Sequence, residues 1–229
     1  MTITTSRLTQ AAGLSAVLSG LLFILIQPIH PLENLSTVTS TAWAVVAYMT
    51  MAMSLLGLVG VTGIYLRQVK ESGLLGLSGY LLFSLFYLGT TAWTFAEALI
   101  LPPLSGQAPQ FVTSFLGVFD GSDSGTSLGA LGAMGLVIFP MYLLGGVLLG
   151  AAVFRAGILS RAAGILLAIG AASTLLVPFL PPAAARYAAV PVGVALILLG
   201  YSLFAEQRTA RQGLSDLTPG TQPDRTPAA

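Results

Sequence analysis

Apolar residues fall into six long blocks, at about 11–29, 41–66, 74–102, 127–154, 162–180 and 190–205, separated by short polar or proline-bearing connectors. A bilayer core about 30 Å thick is crossed by about 20 helical residues, each rising about 1.5 Å. The blocks therefore predict an all-α fold, a polytopic membrane helix bundle with six transmembrane helices over residues 1–205. The first block competes with a signal peptide, but it is as long as a full span and no small-x-small cleavage site follows. It reads as an uncleaved helix ending at Gln27-Pro28. The second block is longer than a bilayer needs, so tilt or overhang is expected. The sixth is the shortest. Residues 206–229 are charged, contain Pro219, Pro223 and Pro227, and predict a disordered tail.

The third block carries a pattern of its own. At about 100° per residue, Tyr80, Ser84, Tyr87, Thr91 and Thr94 share an arc of roughly 80°, with Leu82, Phe86 and Trp93 opposite. One face is expected toward protein or a cavity, the other toward lipid. Thr90 and Glu97 sit at the edge of the polar arc, about a turn before Pro102. Glu97 is the only carboxylate inside an apolar block. An ionised carboxylate is costly in hydrocarbon, so such residues usually face an interior or a wet cavity.

Between the third and fourth blocks, Phe111, Phe115 and Phe119 recur every fourth position with Val112, Leu116 and Val118 close by. This predicts a short interfacial helix or lid on the membrane face. The run Asp120-Gly121-Ser122-Asp123-Ser124-Gly125 then turns the chain, with Ser124 or Thr126 as candidate cap of the fourth helix and Pro140 as its expected kink.

Composition supports the same solvent. Of 229 residues, 55% are hydrophobic and 7% charged, with mean hydropathy +0.88, whereas soluble domains carry about 25% charge. The net charge of +1 supplies no field for nucleic acid, and none is expected as a partner. Cysteine is absent, which excludes disulfides, thiolate nucleophiles, iron-sulfur ligation and Cys-based zinc sites. The single histidine, His30, leaves no bis-histidine haem within one chain. No cofactor and no metal is expected.

The cations sort by connector. With the N-terminus in the cytoplasm, Arg7, Arg67, Lys70, Arg155, Arg161, Arg208, Arg211 and Arg225 lie inside and Arg186 alone outside. Only this phase satisfies the positive-inside rule. It predicts a bacterial plasma-membrane protein with both termini cytoplasmic, and it places His30, Glu33, Asp120, Asp123 and the Glu97 end of the third span toward the outer face.

Segment edges point to three hairpins in one orientation. The odd spans begin alike, at Gln10-Ala11-Ala12-Gly13-Leu14, Glu71-Ser72-Gly73-Leu74 and Arg161-Ala162-Ala163-Gly164-Ile165. The even spans end alike, at Gly63 to Arg67, Gly150 to Arg155 and Gly200 to Phe204. A parallel repeat about the membrane normal fits, though small residues and an arginine flank many membrane helices on that side. Gly57, Gly60 and Gly63, the series Gly129, Gly132 and Gly135, Gly146 with Gly150, and Gly164 with Ala168 would let backbones approach closely.

The connector Phe154-Arg155-Ala156-Gly157-Ile158-Leu159-Ser160-Arg161, continuing to Gly170, resembles a group of functionally uncharacterised small integral membrane proteins of bacteria, actinobacteria especially. The resemblance covers residues 154–170 and implies a multi-span cell-membrane protein. It implies no activity.

Candidate chemistry gathers around Glu97. The neutral acid could donate a proton to a substrate or carry one across; the plainer reading is a carboxyl bonded to Thr90 or Thr94, or to headgroup water. His30 and Glu33, three apart, share one side of a turn. With Glu97, Asp120 and Asp123 they would form an outer-face cluster, though no metal-ligand spacing appears. The Asp120 to Gly125 turn lacks the alternating acids of a calcium loop. Tyr48, Tyr80, Tyr87 and Tyr142, with Trp43 and Trp93, are candidates to line an amphiphile pocket; both tryptophans also suit interfacial anchoring.

The expected function is binding or passing a small amphiphilic ligand through an outward-facing pocket near Glu97, lined by Tyr80, Tyr87, Thr91, Thr94 and Phe115. One alternative is an intramembrane enzyme. It would use Glu97 as general acid, with His30 or Glu33 as partner, on a lipid-soluble substrate, as in acid-started isoprenoid cyclisation. Another is a structural subunit whose polar stripe packs against a partner.

Overall fold

The computed structural model describes residues 4–119 and 125–216, with backbone only at 182–183 and 207–216. The helices are α1 (Thr5–Ile29), α2 (Thr41–Arg67), α3 (Val69–Leu99), α4 (Leu101–Leu104), α5 (Pro109–Leu116), α6 (Met134–Ala156), α7 (Arg161–Ser173), α8 (Pro182–Ala185) and α9 (Val190–Asp216). Three 3-10 segments, Gly129–Ala133, Thr174–Phe179 and Arg186–Ala189, extend or join them. Among the described residues there is no strand, and 6 helices are long and apolar enough to cross a membrane. The protein is an all-α helix bundle of multi-pass membrane type.

Local chemistry sets most boundaries. Ser40 Oγ accepts from the Trp43 amide (3.2 Å) at the start of α2, and Ser160 Oγ accepts from Ala163 N (3.3 Å) at the start of α7, satisfying amides with no partner inside the helix. Helix α6 stops at Gly157, whose φ of 64° suits a residue without Cβ. A second glycine, Gly73 (φ 55°), breaks α3 one turn after its start. The main span therefore begins at Leu74, as the hydropathy pattern has it, while the expected connector 67–73 shrinks to Gln68 and one helical turn.

Several edges differ from the sequence reading. Helix α3 stops at Leu99, and Leu101 to Leu104 form a separate turn, because consecutive prolines at 102 and 103 cannot continue the hydrogen-bond ladder. The fourth span opens as the 3-10 segment Gly129–Ala133 and becomes α-helical at Met134, which has no side-chain cap. Pro140 falls inside α6 without ending it. The fifth span tightens to 3-10 geometry at Thr174, just before Pro178. Helix α9 continues to Asp216, so the segment expected to be irregular from residue 206 begins as helix; a polar sequence rich in Glu, Gln and Arg keeps good helix propensity. The turn at Asp120 to Ser124 and the prolines at 219, 223 and 227 lie outside the described residues.

The six long helices close into a ring. Helix α1 packs on α2 and α9, α2 on α3, α3 on α6, α6 on α7, and α7 on α9. Three hairpins, α1 with α2, α3 with α6 and α7 with α9, thus follow one another around a common axis. Along that axis Val61, Ile64, Phe83, Leu149, Leu167, Leu196, Leu199 and Leu203 are fully buried. The outer surface is equally apolar, with Leu14, Leu18, Leu21 and Leu25 exposed along α1.

Lipid on one side and leucine on the other leave little hydrophobic drive, so contact geometry carries the association. A Cβ on Gly13 would sit 2.8 Å from Gly200 O, one on Gly20 2.4 Å from Gly193 O, and one on Gly150 2.5 Å from Gly164 O. These approaches join α1 to α9 and α6 to α7 backbone against backbone. The expected small-residue stripes are used in this way on α2, α6 and α7. Gly129 and Gly132 are not, since neither would place a Cβ against a neighbouring helix.

At the end of the ring where α2 finishes, Arg67 Nε donates to Glu206 Oε2 (2.8 Å) and Nη2 to Oε1, tying α2 to α9. Lys70, Arg155 and Arg161 share this basic end with Arg67. The opposite end carries the α1–α2 connector, α4, α5 and the segment between α7 and α9. There Val38, Trp43, Trp93, Leu101, Val112, Phe115 and Leu116 form a second buried cluster.

Candidate functional site

The buried arc of helix α3 is wider than the expected stripe. Ser84, Tyr87 and Thr94 are buried, and Tyr80 and Thr91 half-buried. Phe86 and Trp93, expected toward lipid, are buried as well. The lipid-facing row is Leu77, Leu81, Leu85, Leu88, Ala92, Phe95 and Leu99, repeating every three or four residues. A helix in a closed ring has two neighbours and an interior to cover, so its buried arc is wider than any polar stripe; aromatic side chains inside it look like lipid contacts in the sequence.

The stripe residues disperse over the length of α3. Tyr80 stacks on Tyr65 (centroids 4.6 Å apart), with its hydroxyl 3.3 Å from Thr62 Oγ1, toward the basic end. Tyr87 is fully buried among Phe83 and Phe86 (5.1 Å to each), against Gly57 and Ser19. Thr91 Oγ1 donates to Tyr87 O (2.8 Å) on its own helix. Phe115, expected to line a pocket, instead stacks on Trp93 at 3.8 Å and is 2% exposed. Helix α5 is thus a packed cap on α3 and not a free lid, because its apolar face found an indole instead of a bilayer. None of Tyr80, Tyr87, Thr91, Thr94 or Phe115 lines the central cavity described next.

That cavity occupies the end of the ring opposite the basic end. Its volume is about 350 Å³, and every long helix or its extension contributes. Phe23, Ile26, Gln27 and His30 come from α1 and its end; Thr50 and Met53 from α2; Phe86 and Thr90 from α3; Ile138, Phe139 and Tyr142 from α6. Thr174 closes it from beyond α7, Ala189 from before α9, and Phe119 from beyond α5. Phe119 (49% exposed) and Phe139 (42%) are its exposed members, so it reaches the surface beside them. Below it, Phe83 and Tyr87 are fully buried and fill the ring interior.

A smaller cavity of about 50 Å³ adjoins it, sharing His30 and Thr50 and adding Trp43, Val46, Ala47 and Glu97. This space has room for water and too little for an organic substrate. Glu97 is half-buried here. Its Oε1 accepts from Trp93 Nε1 (3.0 Å), and its backbone carbonyl accepts from Trp43 Nε1 (2.9 Å). Both tryptophans are therefore tied to Glu97 and not to headgroups. Glu33 is exposed on the connector, near enough for its charge to act on Glu97.

His30 is positioned by two neighbours. Its Nδ1 is 2.9 Å from Pro31 O, and its own carbonyl accepts from Arg186 Nη1 (2.6 Å), while Arg186 Nη2 reaches Pro31 O (3.3 Å). A carbonyl can only accept, so Nδ1 donates and carries a proton. The expected grouping of His30 with Glu97 is found across the small cavity, without a direct hydrogen bond between them. Among the described residues no cluster of His, Asp and Glu is placed to hold a metal ion. Asp120 and Asp123 lie outside the described residues.

Of the aromatic candidates only Tyr142 faces the central cavity; Tyr48 is exposed. Sequence reasoning passed over Gln27, Thr50 and Thr174. Gln27 had a signal, being a lone amide inside the first apolar block, whereas the threonines resemble many in membrane helices. Comparisons of the chain with protein-family models, with curated proteins and with solved structures give no match.

Proposed function

We propose that this protein sits in a bacterial plasma membrane with its basic end in the cytoplasm, and that it binds a small amphiphilic molecule in the cavity at the outer end of the helix ring. The cavity carries this reading. It is central, built by all six spans, and its roughly 350 Å³ falls at the small end of ligand pockets. Its wall is mainly apolar with a few convergent polar groups, the composition that suits an amphiphile. The filled interior around Phe83 and Tyr87 favours binding over a through-passage.

The intramembrane-enzyme alternative draws less support. The Glu97 carboxyl is held by Trp93 and borders a space of about 50 Å³, too small for an organic substrate. The first reading is tested by extracting the protein into native nanodiscs and identifying co-purifying small molecules by mass spectrometry, beside Thr90→Phe, which fills the cavity. A species retained by wild type and lost in the variant is expected. Identical profiles from two folded proteins would overturn the reading.

A further inference from the structure

Resting on the cavity-binding reading, we propose that the ligand is a monovalent organic ammonium ion with a compact apolar body. The wall of the cavity offers more hydrogen-bond acceptors than donors. Thr50 Oγ1 donates to Val46 O (2.9 Å) and Thr174 Oγ1 to Ala171 O (2.6 Å). Each hydroxyl therefore turns only lone pairs toward other partners. Gln27 Nε2 donates one hydrogen to Phe23 O (2.8 Å), which leaves its second N–H as a donor and its Oε1 as an acceptor. The hydroxyls of Thr90 and Tyr142 can donate as well as accept, and Tyr142 adds a second, independent sign of a missing partner: it is 7% exposed, lines the cavity, and its hydroxyl has no partner among the described residues. A buried hydroxyl without a partner is costly, and a bound group would satisfy it.

Such a wall offers an acid's oxygens fewer partners than it offers a donor group. It serves a neutral donor such as an alcohol, and it serves an ammonium group better for two further reasons. The rings of Phe23, Phe86, Phe119, Phe139 and Tyr142 line the space, and aromatic faces attract cations, alkylammonium ions above all. Glu33, exposed on the connector at this end, adds negative potential. Arg186, the cation described nearby, is occupied by the carbonyls of His30 and Pro31.

The chain has 2 tryptophans, and both bond to Glu97 beside the cavity, so intrinsic fluorescence reports on this end of the molecule alone. The full chain in zwitterionic nanodiscs is titrated with adamantylamine, adamantanol and adamantane carboxylate, which share one rigid body and differ in the head. The expected result is a saturable fluorescence change with the amine binding about tenfold or more tighter than either analogue, and loss of that binding in Thr90→Phe. A weaker effect is expected of Glu33→Gln: a modest drop in amine affinity with alcohol affinity unchanged. Equal affinity for all three heads, lost in Thr90→Phe, would overturn the ammonium assignment and leave the cavity reading standing. No saturable binding of any of them, or amine binding that survives in folded Thr90→Phe, would overturn both.

Discussion

The indole nitrogen of Trp43, in the first turn of α2, donates to the backbone carbonyl of Glu97, in the last turn of α3, at 2.9 Å. The last four carbonyls of a helix have no partner within it, and at membrane depth an unpaired one is costly. Trp43, 4% exposed, thus closes the end of α3 and fixes Glu97 beside the cavity. Trp43→Phe keeps most of the packing and removes only the donor. A loss of about 1–3 kcal/mol is expected, read as a lower midpoint of thermal unfolding in detergent; an unchanged midpoint would show that the bond contributes nothing.

The stack of Phe115 on Trp93 should be the main attachment of α5. Phe115→Ala removes a fully buried ring and is expected to cost about 3–5 kcal/mol, detaching the cap and raising amide hydrogen exchange across residues 109–116. Phe111→Ala, at a half-buried position 6.3 Å from Phe115, should cost distinctly less. Equal effects would mean that α5 is held some other way.

Backbone approach, and not leucine content, should govern assembly of the ring. A Cβ on Gly20 meets the Gly193 carbonyl at 2.4 Å, whereas one on Gly132 meets nothing nearer than Leu128 Cβ at 3.8 Å. Gly20→Ala is expected to destabilise by about 1–3 kcal/mol and to broaden the gel-filtration peak. Gly132→Ala should behave as wild type.

The Arg67–Glu206 pair is about a third exposed on both sides, so solvent screening limits it to under about 1 kcal/mol. A double-mutant cycle with Arg67→Gln and Glu206→Gln should give a coupling of that size, and the coupling should shrink as salt is raised. A coupling of several kcal/mol would place the pair in a drier setting than its exposure indicates.

Membrane orientation is open to direct measurement because the chain has no cysteine. Thr39→Cys, exposed on the α1–α2 connector, should react with an impermeant maleimide added to intact cells. Lys70→Cys, exposed at the basic end, should react only after lysis. The reverse pattern would invert the proposed topology and place the cavity toward the cytoplasm.

The number, order and approximate limits of the spans followed from hydropathy alone, because a stretch that must satisfy its backbone without water has no choice but helix. Gly73 and the prolines after Ile100 marked real breaks for reasons of backbone geometry. The glycines of α2, α6 and α7 announced close contact, though not with which helix. The site was legible only in part. Glu97 and His30 were singled out and do border one small space, and Tyr142 was among the ring candidates; Tyr80, Tyr87, Thr91, Thr94 and Phe115 went elsewhere. In a soluble protein polarity separates surface from core. Here lipid and bundle interior are both apolar, so Phe86 facing Tyr142 and Leu85 facing lipid have equivalent sequence signatures. Only closure of the ring decided which side chains turn inward, where they leave a cavity, and whose hydroxyl within it lacks a partner.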